Sequence, residues 1–172
     1  MRIAVIYPGL RTGALVVIDT TAGERGHIIR AVSVGVKLRK DSDLAADLAL
    51  VASLVRDELR DTAPEWVVVE KNIMAGGRTG GDKTIMGRGA CLVGVGLASP
   101  NAWLEAHPMA VRKHLLGKAK ASEEEISRFV TAHLRDAHLK LTTPHLEDAA
   151  LLALWGASHV LAAQAGHGTV LQ

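Results

Sequence analysis

Trp66-Val67-Val68-Val69-Glu70 is the stretch whose reading decides the fold. It follows Pro64 and is apolar at successive positions, which marks a strand buried on both faces inside an open α/β sheet. The run ends in a carboxylate, Glu70, at the strand's C-terminal edge, where sheets of this kind bind their ligands.

Upstream, Leu44, Leu48, Val51, Val55 and Leu59 recur at spacings of four, three, four and four. That spacing predicts an amphipathic helix over 42–61 lying on the sheet. Before it, Arg2 to Tyr7 and Ala14 to Asp19 are β-rich runs joined by the turn Pro8-Gly9-Leu10-Arg11-Thr12-Gly13, which predicts a hairpin. The alternation of His27 to Val36 predicts a third strand. Downstream, 74–82 holds four glycines and reads as a loop, followed by a helix over 83–98. Gly87, Ala90, Gly94 and Ala98 recur there nearly every four residues, a stripe that serves either a dimer surface or packing within one subunit. A strand at 103–105 and a short helix after Pro108 come next. Ser122-Glu123-Glu124-Glu125 is a capping box opening a helix to about Leu139, and Pro144 precedes a last helix over 146–163. The sum is an α/β fold: a mixed five-stranded sheet, three antiparallel N-terminal strands and then parallel ones, flanked by helices.

A chain of 172 residues suits one domain over 1–172, and 48% hydrophobic with 22% charged residues suits a folded globular protein. The single Cys91 excludes an internal disulfide, and the N-terminal apolar run is too short for a signal peptide, so reducing cytoplasm is the expected compartment. The apolar stretch 90–98 is about half of a membrane span, so no membrane association is expected. A formal net charge of +2 says little about nucleic acid, but Arg112, Lys113, His114, Lys118 and Lys120 form a basic patch without an intervening acid. Alone, that patch reads equally as a solvated helix end.

Metal-dependent nucleases need carboxylates from separate parts of the chain, because Mg²⁺ prefers hard oxygen ligands. Two such ions about 4 Å apart clamp the attacking and leaving oxygens of a phosphodiester. Glu70 is one candidate ligand. His145 and Asp148, three apart at a helix start, share a face. Asp148 equally suits the positive end of the helix dipole, and Glu147 reads as a solvated first-turn acid.

Four pieces in order resemble the RuvC-type Holliday-junction resolvases. Ile6-Tyr7-Pro8-Gly9-Leu10-Arg11-Thr12-Gly13 resembles the family's opening aspartate-proline-glycine turn, and Val67-Val68-Val69-Glu70 the strand bearing the second acid. Met86-Gly87-Arg88-Gly89-Ala90 resembles the following helix start, and His145-Leu146-Glu147-Asp148-Ala149-Ala150 the terminal metal-binding pair. The resemblance runs from residue 2 to about 160. It implies an RNase H-like fold, and an endonuclease that cuts four-way DNA junctions with Mg²⁺, or Mn²⁺ as substitute. The implied metal ligands are Glu70, His145 and Asp148. It also implies a homodimer, and a branch-migration helicase as a candidate partner. The candidate DNA contacts are Arg112, Lys113, Lys118 and Lys120 of the basic patch and Arg11 of the first turn. To these the loop and helix start add Ile73, Met74, Arg78, Lys83 and Arg88. Ile73 and Met74 sit where the family places an apolar wedge against junction bases, or are simply tucked under the loop.

Tyr7 departs from that pattern, standing where the family's first catalytic aspartate stands. A phenol, with a reference pKa of about 10, offers Mg²⁺ an uncharged oxygen in place of a two-oxygen anion. Asp19 cannot substitute, being about 15 Å away along the hairpin at roughly 3.3 Å per residue. Junction binding with weak or absent cleavage is therefore expected; the alternative is a non-catalytic junction-binding or scaffold protein on the same fold.

Overall fold

The structure is a computed structural model and describes residues 1–20, 26–36, 43–71, 81–100 and 102–164, with the side chains of 81–84 and of Gln164 left aside. Strands β1 (Arg2–Tyr7), β2 (Ala14–Asp19) and β3 (Gly26–Ser33) precede helix α1 (Leu44–Thr62), strand β4 (Trp66–Glu70) and helix α2 (Gly81–Ala98). Strand β5 (Trp103–Ala106), helices α3 (Pro108–Leu116) and α4 (Glu123–His133), strand β6 (Leu134–Arg135), helix α5 (Ala137–Lys140) and helix α6 (Pro144–Gln164) follow.

The sheet runs β5-β4-β1-β2-β3-β6. β1–β2 and β2–β3 are antiparallel, while β4 lies parallel to β1 and β5 parallel to β4. The predicted fold class holds, with six strands rather than five. The added strand, β6, is two residues long and pairs parallel with the start of β3, Gly26 opposite Leu134. It falls inside the stretch predicted as one helix to about Leu139. The helix ends at His133 because Leu134 is extended (φ −118°, ψ 134°), buried and packed over Gly26, and Asp136 takes a left-handed turn at φ 59°. No glycine or proline marks that break; aspartate tolerates the left-handed conformation, and burial of Leu134 decides it. β3 stops at Ser33 instead of Val36. Val34 and Val36 donate their N–H groups to Gly13 and Leu10, drawing the chain across the β1–β2 turn.

Strand alternation sorts the core into two layers. Ile3 and Val5 of β1 and Val68 of β4 face α6, α3 and α4, whereas Ala4, Ile6, Val67 and Val69 face α1 and α2. α6 is apolar and long enough, by length and composition alone, to cross a membrane; half of that window is buried against the sheet and neighbouring helices. Gly156 lets it lie close: a Cβ there would stand 2.7 Å from Val68 Cγ2. On the other face, Gly87 packs on the Gly9–Leu10 backbone and Gly94 on Ala52 and Val55 of α1. The small-residue stripe of α2 is thus an internal contact and not a dimer surface.

Candidate functional site

The same alternation that sends Ile3, Val5 and Val68 toward α6 sends the next residues of that parity, Tyr7 and Glu70, the same way. β1 and β4 are parallel with Ile6 opposite Val69, so Tyr7 and Glu70 end adjacent strands at one edge of the sheet. Asp19 pairs with Arg2 at the opposite edge, as the hairpin arithmetic required. α6 begins over the site edge and carries His145 in its first turn and Asp148 just after it. The rings of Tyr7 and His145 lie 5.2 Å apart at 37°.

Glu70 is only 6% exposed, and its Oε2 has no hydrogen-bond partner. An ionised carboxylate in that setting is costly. Burial first, then the charge of Asp148, push the Glu70 carboxyl up to about 7, against the pull of Arg112. Burial, then Glu70 and Asp148, hold the Tyr7 phenol at about 12, with Arg112 again opposing. The phenol is therefore neutral throughout the physiological range, which argues against a phenolate nucleophile. Arg112 of α3 donates from Nη2 to Asp148 Oδ1 at 2.7 Å. Beside this pair opens a cavity of about 320 Å³, lined by Arg112, Ser122, Glu123, Ile126, Glu147 and Asp148 among others.

The four predicted acid, histidine and tyrosine positions thus converge, yet no three His, Cys, Asp or Glu side chains among the described residues are grouped closely enough to hold a metal ion. Of the predicted DNA contacts, Arg11, Lys113 and Lys120 are exposed. Lys118 is ion-paired with Glu125 of α4. Arg88 points inward, ion-paired with Glu105, and its Nε is buried without a partner. Ile73, Met74 and Arg78 lie outside the described residues, as does the Lys83 side chain. Sequence reasoning missed Glu105 and the Arg112–Asp148 pair. The first was within reach, because Glu105 ends the predicted fifth strand and stands opposite Val69, one residue before Glu70. The second joins two residues each singled out for another purpose.

The model of the family described as crossover junction endodeoxyribonuclease RuvC matches residues 3–155. The chain belongs to the RuvC family. A RuvC crossover junction endodeoxyribonuclease of Cereibacter sphaeroides is 30% identical over 160 residues, covering 93% of this chain and 91% of that protein. The RuvC of Thermus thermophilus in complex with a Holliday junction substrate superposes with a TM-score of 0.78 at 25% identity, covering 96% of each chain. Another structure of Thermus thermophilus RuvC gives 0.75 at 24% identity, covering 96% of this chain and 97% of that one, and likewise shows the shared fold.

Proposed function

We propose that this chain binds four-way DNA junctions as a homodimer, and that Tyr7 leaves it a weak or inactive junction endonuclease. The observation that carries the reading is the convergence of Tyr7, Glu70, His145 and Asp148 at one sheet edge in a chain matched to the RuvC family over 3–155. The exposed cations Arg11, Lys113 and Lys120 are the backbone contacts, working by phosphate neutralisation that does not depend on the site. The dimer surface is the outer face of α2, where Ile85, Val93 and Leu97 are exposed and Gly89 and Gly96 leave open space beside them.

The donor set suits one hard cation at most. Glu70, with its orphaned oxygen, and Asp148 and His145 are the residues that would have to draw closer than they stand to hold Mg²⁺ or Mn²⁺, while Tyr7 brings no anion to the set. Such an ion, when bound, activates a water and offsets charge on the phosphodiester. Arg112 balances Asp148. The test is nicking of a synthetic four-way junction with Mg²⁺ or Mn²⁺ by this chain and by Tyr7→Asp. Cleavage at least tenfold faster for Tyr7→Asp is expected. A Tyr7→Asp protein that binds junctions and never cuts them would overturn the assignment of Glu70, His145 and Asp148.

A further inference from the structure

The phenol of Tyr7 is fixed at its ring and free at its oxygen. The ring borders the α6-side core and leans on His145, and Oη has no hydrogen-bond partner among the described residues. Arg112, close enough to act electrostatically on Tyr7, commits one guanidinium nitrogen to Asp148 and also lines the cavity beside it. A guanidinium has five N–H donors, so Arg112 has donors left for a second acceptor. Tyr7 leans on His145 and Arg112 pairs with Asp148, three residues further along α6, so one neutral O–H donor and one cation with donors to spare flank the start of that helix, a combination suited to an oxyanion.

We propose that Tyr7 Oη and Arg112 together form a seat for a phosphodiester of the junction backbone, so that position 7 contributes DNA binding in place of metal ligation. The inference rests on the proposed junction-binding function. Tyr7 donates its hydroxyl hydrogen to one non-bridging oxygen, and Arg112 donates to the other while keeping Asp148 neutralised. An aspartate at position 7 would instead set a third carboxylate against the phosphate, which repels it unless a cation intervenes. Hydrogen bonds to charged acceptors are the strong ones, so the phenol's contribution is large enough to measure.

The experiment is equilibrium binding of a fluorescent four-way junction to this chain in buffer containing EDTA. Tyr7→Phe, which keeps the ring and removes the donor, is expected to bind about fivefold to tenfold more weakly. Tyr7→Asp is expected to bind more weakly still and to recover when Ca²⁺ is added. With a junction carrying uncharged methylphosphonate linkages at the crossover, wild type and Tyr7→Phe should bind alike. Circular dichroism melting checks that each variant is folded. Tyr7→Phe affinity within twofold of wild type for the natural junction overturns the seat. So does an undiminished Tyr7→Phe defect on the methylphosphonate junction. Failure of the junction reading is distinguishable, because it shows as equal wild-type affinity for junction and linear duplex; the Tyr7→Phe comparison on the duplex then still decides the seat.

Discussion

The two faces of the sheet are covered by helices of similar apolar character and opposite fate. On one face, α6 buries Leu146, Ala149, Ala150, Leu151, Leu152 and Ala153 in succession and leaves one large apolar side chain, Leu161, well exposed at 51%. On the other, α2 turns Gly87, Ala90, Cys91, Gly94 and Val95 inward and exposes Ile85, Met86, Val93 and Leu97, the last two at 55% and 50%. α6 is therefore finished within one chain and can hold His145 and Asp148 over the sheet edge. α2 has apolar area left over, at about 25 cal/mol for each Å² that a partner removes from water. The difference teaches that hydropathy marks a helix as apolar without saying which contacts are internal.

Breaking the α6 face should have the largest effect. Leu151→Ala is expected to lower unfolding free energy by about 2–5 kcal/mol in urea titrations, while Leu97→Ala should change it by less than about 1 kcal/mol. A result in which both cost the same would erase the distinction between the faces.

The second effect concerns the charge that the α6 face shelters. Glu70 has a folded-state pKa of about 7 against an ordinary value of 4.5, so the folded protein holds its proton more tightly than the unfolded chain. Its contribution to stability is full below the unfolded value and is lost as pH rises from about 4.5 through 7. Glu70→Gln removes that loss: relative to wild type, it should gain about 2–3 kcal/mol between pH 4.5 and pH 8, read from urea midpoints at both. A pH-independent difference between the two proteins would contradict the burial argument.

On the α2 face, Val93→Asp with Leu97→Asp should weaken self-association by at least about tenfold in sedimentation equilibrium, with the monomer's melting temperature nearly unchanged. Dimers that survive both substitutions would place the interface elsewhere. The smallest effect is local to α4, which braces α6. Ser122 accepts the Glu125 N–H and Glu125 accepts the Ser122 N–H, so Ser122→Ala should cost about 1 kcal/mol.

Much of this arrangement was legible in the sequence because it rests on strand periodicity. The unbroken apolar run of β4 placed Glu70 at a buried edge, whereas Tyr7 was singled out by the family resemblance and its side of the sheet came from the strand register. What was not legible depended on distant partners. Gly87 and Gly94 read first as a dimer surface and second as internal packing, and the position of α1 and of the Gly9–Leu10 turn overturns that order. Arg88 stood among the candidate DNA contacts through the resemblance of its helix start, and its ion pair with Glu105, seventeen residues on, is a tertiary contact that the sequence reading did not make. The end of α4 at His133 escaped because Leu134 trades helical hydrogen bonds for burial over β3, a choice made by tertiary contact rather than by propensity.

That short β6 has a bearing on solubility. A sheet whose β3 margin were bare would present a row of unpaired backbone groups eight residues long to any neighbouring chain. Leu134 and Arg135 cover its first residues, and Lys140 of α5 donates to the Ile28 carbonyl further along. Along those first residues the margin becomes a two-residue strand ending in a charged side chain and an Asp turn, a poor template for strand addition.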